Sequence, residues 1–243
     1  MTRFYNGQSL LGLMLSLILS SFLLLVIIQF YSYAQQQNRR QLLQLQLQTE
    51  LQRALQTMAK DLRRAGFRAL SIKVTQENFS LFELDEDGIS LAIYPVSNES
   101  AVKNNCVLFF YDLDGNGCLG STAKQCAKDE QNATSEVGRE LFGYRQNGLL
   151  LESRTYGNKA NTKCKKAECQ GYLQQNACQD LGWTKMLDED NYEITDLQLN
   201  WLDNSKQYKG LMLYLAGRLK QSPDIQYESS VVIPLLNQPI LSE

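Results

Sequence analysis

The chain has 243 residues, enough for one medium domain plus an anchor or at most two small domains, and its 44% apolar and 21% charged residues are those of a folded protein. A formal charge of −2 argues against nucleic acid as an obligatory partner, because phosphate binding needs a concentrated basic surface. The absence of histidine removes Ser-His-Asp and Cys-His catalysis, His-ligated zinc and the usual neutral-pH acid-base group. Acidic runs such as Asp85-Glu86-Asp87 and Asp188-Glu189-Asp190 sit in turn-like contexts that solvation explains, so the sequence reads as non-enzymatic.

The first element in chain order is an apolar run from Leu10 to Ile28, with no charged residue between Arg3 and Arg39. At ~1.5 Å rise per residue it is long enough to cross a ~30 Å hydrocarbon core. Three readings are open: a secretory signal cut after Ser32-Tyr33-Ala34, for which the run is too long; an uncleaved anchor; or a short polar leader cut at Gly7. From Gln35 to Ala65 the chain is polar but rich in good helix formers, with neither Pro nor Gly. Leu47, Leu51, Leu55, Met58 and Leu62 fall on one helical stripe, and Gly66 supplies a C-cap after the basic turn Arg63-Arg64. The two stretches read as one continuous helix of roughly 85 Å. Its first half suits lipid or identical helices, and its second half must lie on a folded domain with the Leu stripe inward. The Gln-rich stretch from Gln35 to Gln48 has a stalk as its alternative reading.

Beyond Gly66 the pattern changes to short β-like runs separated by turns. Strands are expected over Ala69–Val74, Phe79–Leu84, Ile89–Val96 and Cys106–Leu113, the last ending in Asp114-Gly115-Asn116-Gly117. Glu140–Tyr144 and Leu149–Arg154 flank Gln146-Asn147-Gly148, a strong hairpin signal. Glu168–Met186 reads as an irregular disulfide-pinned loop, and Glu193–Leu202, Leu211–Leu219 and Gln226–Leu235 are strands again. Strands in succession without intervening helices imply an α+β protein, a long N-terminal helix packed on a mainly antiparallel sheet.

Six cysteines, Cys106, Cys118, Cys126, Cys164, Cys169 and Cys178, all lie beyond the apolar run. An even count in a translocated domain reads as disulfides in an oxidising compartment such as the periplasm, which places the C-terminal part outside the cytoplasm. In two groups of three, either one bridge joins the groups or two thiols stay free. A metal-thiolate cluster would need Cys-x-x-Cys spacing, which is absent. Asp112, Asp114 and Asn116 resemble the first half of an EF-hand-type calcium loop, although Ala123 stands where the bidentate Glu is expected. The alternative there is a Gly-rich turn with Asx hydrogen bonds. Lys159, Lys163, Lys165 and Lys166 read as a solvated loop, with contact to DNA or an anionic surface as the alternative.

The polar start ending in Gly7, the Ser9-Leu10-Leu11 opening, the apolar helix and its amphipathic continuation resemble type IV filament proteins, the pilins and type II secretion pseudopilins. Within that group the chain is most similar to minor pilins of the PilW or PpdB kind, related to J-type minor pseudopilins. Met58-Ala59-Lys60-Asp61-Leu62-Arg63-Arg64-Ala65-Gly66-Phe67 and Tyr111-Asp112-Leu113-Asp114-Gly115-Asn116-Gly117 carry this, with Ile194-Thr195-Asp196-Leu197 and Val231-Val232-Ile233-Pro234-Leu235 fitting less specifically.

The resemblance implies a leader over residues 1–7, a membrane or filament-core helix over 8–34, an amphipathic half over 35–66 and a periplasmic β-rich domain over 67–243. It implies a prepilin peptidase that cuts between Gly7 and Gln8 and methylates the new amine, and a single-pass inner-membrane state from which an assembly platform draws the helix into a filament. Partners would be lipid, the major pilin and other minor pilins, with the chain at the pilus tip or in the fibre. Two positions depart from the pattern: Gln8 replaces the usual Phe or Met, and Gly12 replaces the Glu usual at the fifth mature position. In related filaments the Glu-lacking subunit sits at the extreme tip. The expected function is a minor pilin that initiates, primes or caps a type IV pilus used for DNA uptake, adhesion or motility. A J-type pseudopilin and a membrane-anchored periplasmic binding module are the alternatives.

Overall fold

The computed structural model describes residues 10–69, 81, 90–96, 103–121, 125–129, 131–154, 164–179, 182–202 and 210–237. Contacts divide the chain into two units, Met1–Gln46 and Leu47–Glu243. A single helix, α1, runs from Leu10 to Leu62.

Within the first unit, every side chain from Leu10 to Leu42 is exposed. This part of α1 is long and apolar enough to cross a membrane. Three of its serines are satisfied within the helix: Ser16, Ser20 and Ser21 donate to the carbonyls of Leu13, Leu17 and Ile18. Such back-bonding lets serine sit in an apolar helix without an orphaned donor.

In the second unit the Leu stripe is buried as its spacing predicts: Leu47, Leu51, Leu55, Met58 and Leu62 are each 3% exposed or less. After Leu62 the helix tightens, with Arg64 N–H on Asp61 O at 2.9 Å and Ala65 N–H on Leu62 O at 3.1 Å. Gly66, at φ +79°, turns the chain and donates to Phe110 O at 2.8 Å.

The strands are β1 (Leu91–Tyr94), β2 (Cys106–Phe110), β3 (Ala127–Lys128), β4 (Gln131–Asn132), β5 (Leu141–Asn147), β6 (Leu150–Arg154), β7 (Trp183–Lys185), β8 (Tyr192–Trp201), β9 (Gly210–Leu219) and β10 (Ser222–Pro234). All pairings are antiparallel, in sheets of order β1-β2-β5-β6-β7, β10-β9-β8 and β3-β4. The α+β architecture expected from the sequence is thus present. The expected strands Ala69–Val74 and Phe79–Leu84 fall largely outside the described residues. Glu168–Met186 is more ordered than a loop: it contains helix α2 (Lys166–Gly171), a 3-10 turn at Gln175–Cys178 and β7.

β2 is buried on both faces, which is why it reads as an unbroken apolar run. Cys106, Leu108 and Phe110 join one core cluster with Cys164, Cys169, Leu173 and Cys178. Phe109 and Tyr111 stack with Phe142. Beside that stack, Tyr144 donates its hydroxyl to Asp61 of α1 at 2.6 Å. In the other large sheet, α1 approaches so closely that a Cβ at Gly217 would lie 3.0 Å from Leu51 Cδ2. Gln52 Nε2 donates to Tyr227 Oη and Ser229 Oγ.

The two sheets are joined at a bulge in β8, where pairing with β9 shifts between Ile194 and Asp196. Gln146 fills that irregularity as a backbone would, accepting from Leu197 N–H at 2.9 Å and donating to Ile194 O at 3.2 Å. Ile194 N–H on Leu149 O and Leu199 N–H on Asn104 O complete the seam. At the far side of the first sheet, Arg145 Nε pairs with Glu152 at 2.6 Å across β5 and β6 and lies 4.5 Å over the Trp183 ring. Arg145 and Arg154 also hold the carbonyls of Cys178 and Ala177, fixing the 3-10 turn to the sheet.

Candidate functional site

The sequence points to three places: the start of α1, the loop after β2, and the cysteines. Gly7 and Gln8 lie outside the described residues. Gly12 lies in the exposed first half of α1, and a Cβ there would meet nothing within 4 Å. Nothing in the fold therefore requires glycine at this position.

The loop after β2 is built around two buried carboxylates. Asp112 Oδ1 accepts from Gly115 N–H at 2.8 Å and Asn116 N–H at 3.2 Å, and Oδ2 accepts from Gly117 N–H at 2.7 Å and Ala69 N–H at 2.9 Å. Asp114 is exposed and holds Asn116, accepting from its N–H at 3.0 Å and its Nδ2 at 2.8 Å, while Asn116 Oδ1 accepts from Cys118 N–H at 2.7 Å. A residue that the sequence does not single out completes the group. Glu140 Oε1 accepts from Leu113 N–H at 2.7 Å and Asp114 N–H at 3.4 Å, and Oε2 from Gly120 N–H at 2.5 Å.

Asp112, Asp114 and Glu140 bring carboxylate oxygens within 4.8 Å of one another, a spacing a cation could bridge. However, an ionised carboxyl has about four acceptor positions. Asp112 already accepts that many backbone N–H groups. The arrangement has the hydrogen bonds of an Asx-type turn, and the three carboxylates keep the spacing of a cation site. What it does chemically is tie the Gly-rich loop to the 3-10 turn at Val137–Glu140 and to the segment after α1.

Burial pushes the Glu140 carboxyl up to about 7, outweighing the N–H donors from Gly120, Leu113 and Asp114 that pull it down; the Asp112 charge raises it further. The unfolded chain has the ordinary value near 4.5. Between those two values the folded protein holds a proton that the unfolded chain has lost, so stability falls as pH rises through the window. We expect a loss on the order of 2 kcal/mol from acidic to neutral pH, read from urea midpoints, and a flat profile over the same range in Glu140→Gln.

All six cysteines are paired: Cys106 with Cys178, Cys118 with Cys126, and Cys164 with Cys169. One bridge thus joins the two sequence groups. Cys106–Cys178 staples β2 to the 3-10 turn at Gln175–Cys178, and Cys164 O accepts from Asn132 N–H at 2.8 Å, tying the loop closed by Cys164–Cys169 to β4. Of the lysine cluster, Lys165 and Lys166 are exposed, and Lys159 and Lys163 lie outside the described residues.

No solved structure matches the chain significantly. An uncharacterized protein of Haemophilus influenzae is 49% identical over 236 residues, covering 96% of this chain and 97% of that protein. Residues 40–235 match the family described as prepilin peptidase-dependent protein B. With that match extending from the middle of α1 through the last strand, the chain belongs to the prepilin peptidase-dependent protein B family.

Proposed function

We propose that this protein is a non-enzymatic minor pilin, cut by a prepilin peptidase between Gly7 and Gln8, that helps initiate, prime or cap a type IV pilus. The observation that carries the reading is the division of α1. Its first half exposes an unbroken apolar surface, while its second half is the buried spine of the β domain. A charge-free helix can exchange lipid neighbours for neighbouring helices at little desolvation cost, whereas a tether needs no such continuity with the fold. Other pilins, the assembly platform and inner-membrane lipid are the partners this function requires.

Intact mass of the membrane-extracted protein tests the cut. The expected species lacks residues 1–7 and carries one added methyl group. An unprocessed N-terminus would overturn the reading in favour of an anchored binding module. Loss of pili on deletion, rather than loss of secretion, separates a pilus subunit from a J-type pseudopilin.

Gly12 extends the proposal to position. A carboxylate in an apolar helix is costly unless paired, and in this family of assemblies its partner is the amine of an adjacent subunit. A chain with Gly12 makes no such pair from its own side, which suits a tip-like place with no subunit above. Because a side chain at position 12 meets no steric obstacle, Gly12→Glu should leave the fold unchanged and alter filament number several-fold. Unchanged filament counts together with unchanged crosslinking neighbours would reject the tip assignment.

A further inference from the structure

The edges of the β10-β9-β8 sheet are treated very differently. The β8 edge is occupied by Leu149 O, Asn104 O and the Gln146 amide. β10, at 13 residues the longest strand, pairs only with β9, and no strand flanks its other edge among the described residues. Long edges are normally guarded by lysine, proline, a bulge or a covering element. From Gln226 to Ile233 this edge has no lysine and no proline, and its only register shift lies earlier, between Ser222 and Gln226. Among the described residues it is an open template for another strand.

A groove of about 630 Å³ runs between that strand and the second half of α1. One wall is the ridge Gln52, Gln56, Lys60 and Arg63, and the other includes Ser229 and Val231. None of its described lining residues is acidic. Lys60 and Arg63 are exposed, and neither forms an ion pair among the described residues. The nearest strand carboxylate, Glu228, belongs to the opposite face and is engaged by the Tyr214 hydroxyl at 2.6 Å. Among the described residues the groove therefore offers strand backbone groups that no other strand pairs on one side, and a helix ridge of two cations and two amides on the other.

We propose that this groove docks an extended, carboxylate-bearing segment of another protein chain, which adds as a further strand to β10. Main-chain pairing with β10 would supply affinity. Alternate side chains of the added strand, ~7 Å apart, would face the helix ridge, where carboxylates meet Lys60 and Arg63 and a hydroxyl or amide meets Gln56. The inference is independent of cleavage at Gly7, since every residue involved lies between Gln52 and Ile233.

The test uses the full chain in detergent micelles and a labelled peptide of alternating Glu and Val, followed by fluorescence anisotropy. Binding is expected, with at least about tenfold weaker binding of the Lys-Val counterpart and reversal of that preference in a Lys60→Glu, Arg63→Glu variant. Methylating alternate backbone nitrogens of the peptide should abolish binding, because strand addition needs those donors. Both substituted side chains are exposed, and thermal unfolding of the variant checks that the fold is retained. No binding of the Glu-Val peptide, equal binding of both peptides, or undiminished binding of the methylated one would overturn the proposal. Self-association of the full chain that disappears in the charge-reversed variant would also overturn it, assigning the groove to a second copy.

Discussion

A double Cys106→Ala, Cys178→Ala variant should lose about 4 kcal/mol of stability, more than removal of either other bridge. The two residues are 72 positions apart, and closing so long a loop removes the most freedom from the unfolded chain. Cys118–Cys126 and Cys164–Cys169 span only 8 and 5 positions, and their loss should cost about 2–3 kcal/mol each. Position adds to length: Cys106 and Cys178 are fully buried in the core cluster beneath β2, so releasing them also frees the turn that Arg145 and Arg154 hold. The measurement is urea unfolding followed by tryptophan fluorescence, since both tryptophans, Trp183 and Trp201, lie in β strands of the second unit. Equal losses for the three bridges would show that loop entropy is not the governing term.

Gly120→Ala is the second large effect, about 3 kcal/mol or more. Gly120 has φ +87°, where an L side chain is strained, and its Cβ would fall 2.5 Å from Ser135 O and 2.7 Å from Thr134 Oγ1. The same residue donates its N–H to Glu140, so any shift that relieves the clash weakens a buried hydrogen bond. Gly115 is the control: it also has a positive φ, +71°, but a Cβ there meets nothing within 4 Å. Gly115→Ala should cost only the strain, roughly 1–2 kcal/mol. Similar losses at both sites in the same unfolding assay would mean that backbone conformation, and not the close approach to Ser135, sets the cost.

What could be read from sequence follows the range of the interactions involved. The stripe on α1 and the β5–β6 hairpin were legible because period and turn chemistry are local, although the turn falls at Gly148-Leu149, one residue beyond the Asn147-Gly148 signal; β8, β9 and β10 were legible to within a few residues. β7 was not, because its three residues are fixed by Trp183 packing under Arg145 and Arg154 from other strands. The division into two large sheets depends on a bulge at Ile194 and a glutamine that fills it, neither of which has a sequence signature. The loop at Asp112 showed its own oxygens and an Asx-turn alternative in the sequence, but not the distant donor Ala69. Glu140, 26 to 27 positions beyond Leu113 and Asp114, carried no signal, since a buried carboxylate looks locally like any surface one.

The pairing of Cys106 with Cys178 also sets an order on how the protein can mature. A chain emerging from its N-terminus presents Cys106 first, and Cys118, Cys126, Cys164 and Cys169 all appear before the correct partner does. The nearest thiols favour each other kinetically, which suits Cys118–Cys126 and Cys164–Cys169 but tempts Cys106 toward Cys118. Cys106 must either wait as a thiol within the nascent β2 or be released from a wrong bridge by thiol–disulfide exchange. By either route Cys106–Cys178 is the last of the three bridges that can form, because Cys178 is the last cysteine to emerge.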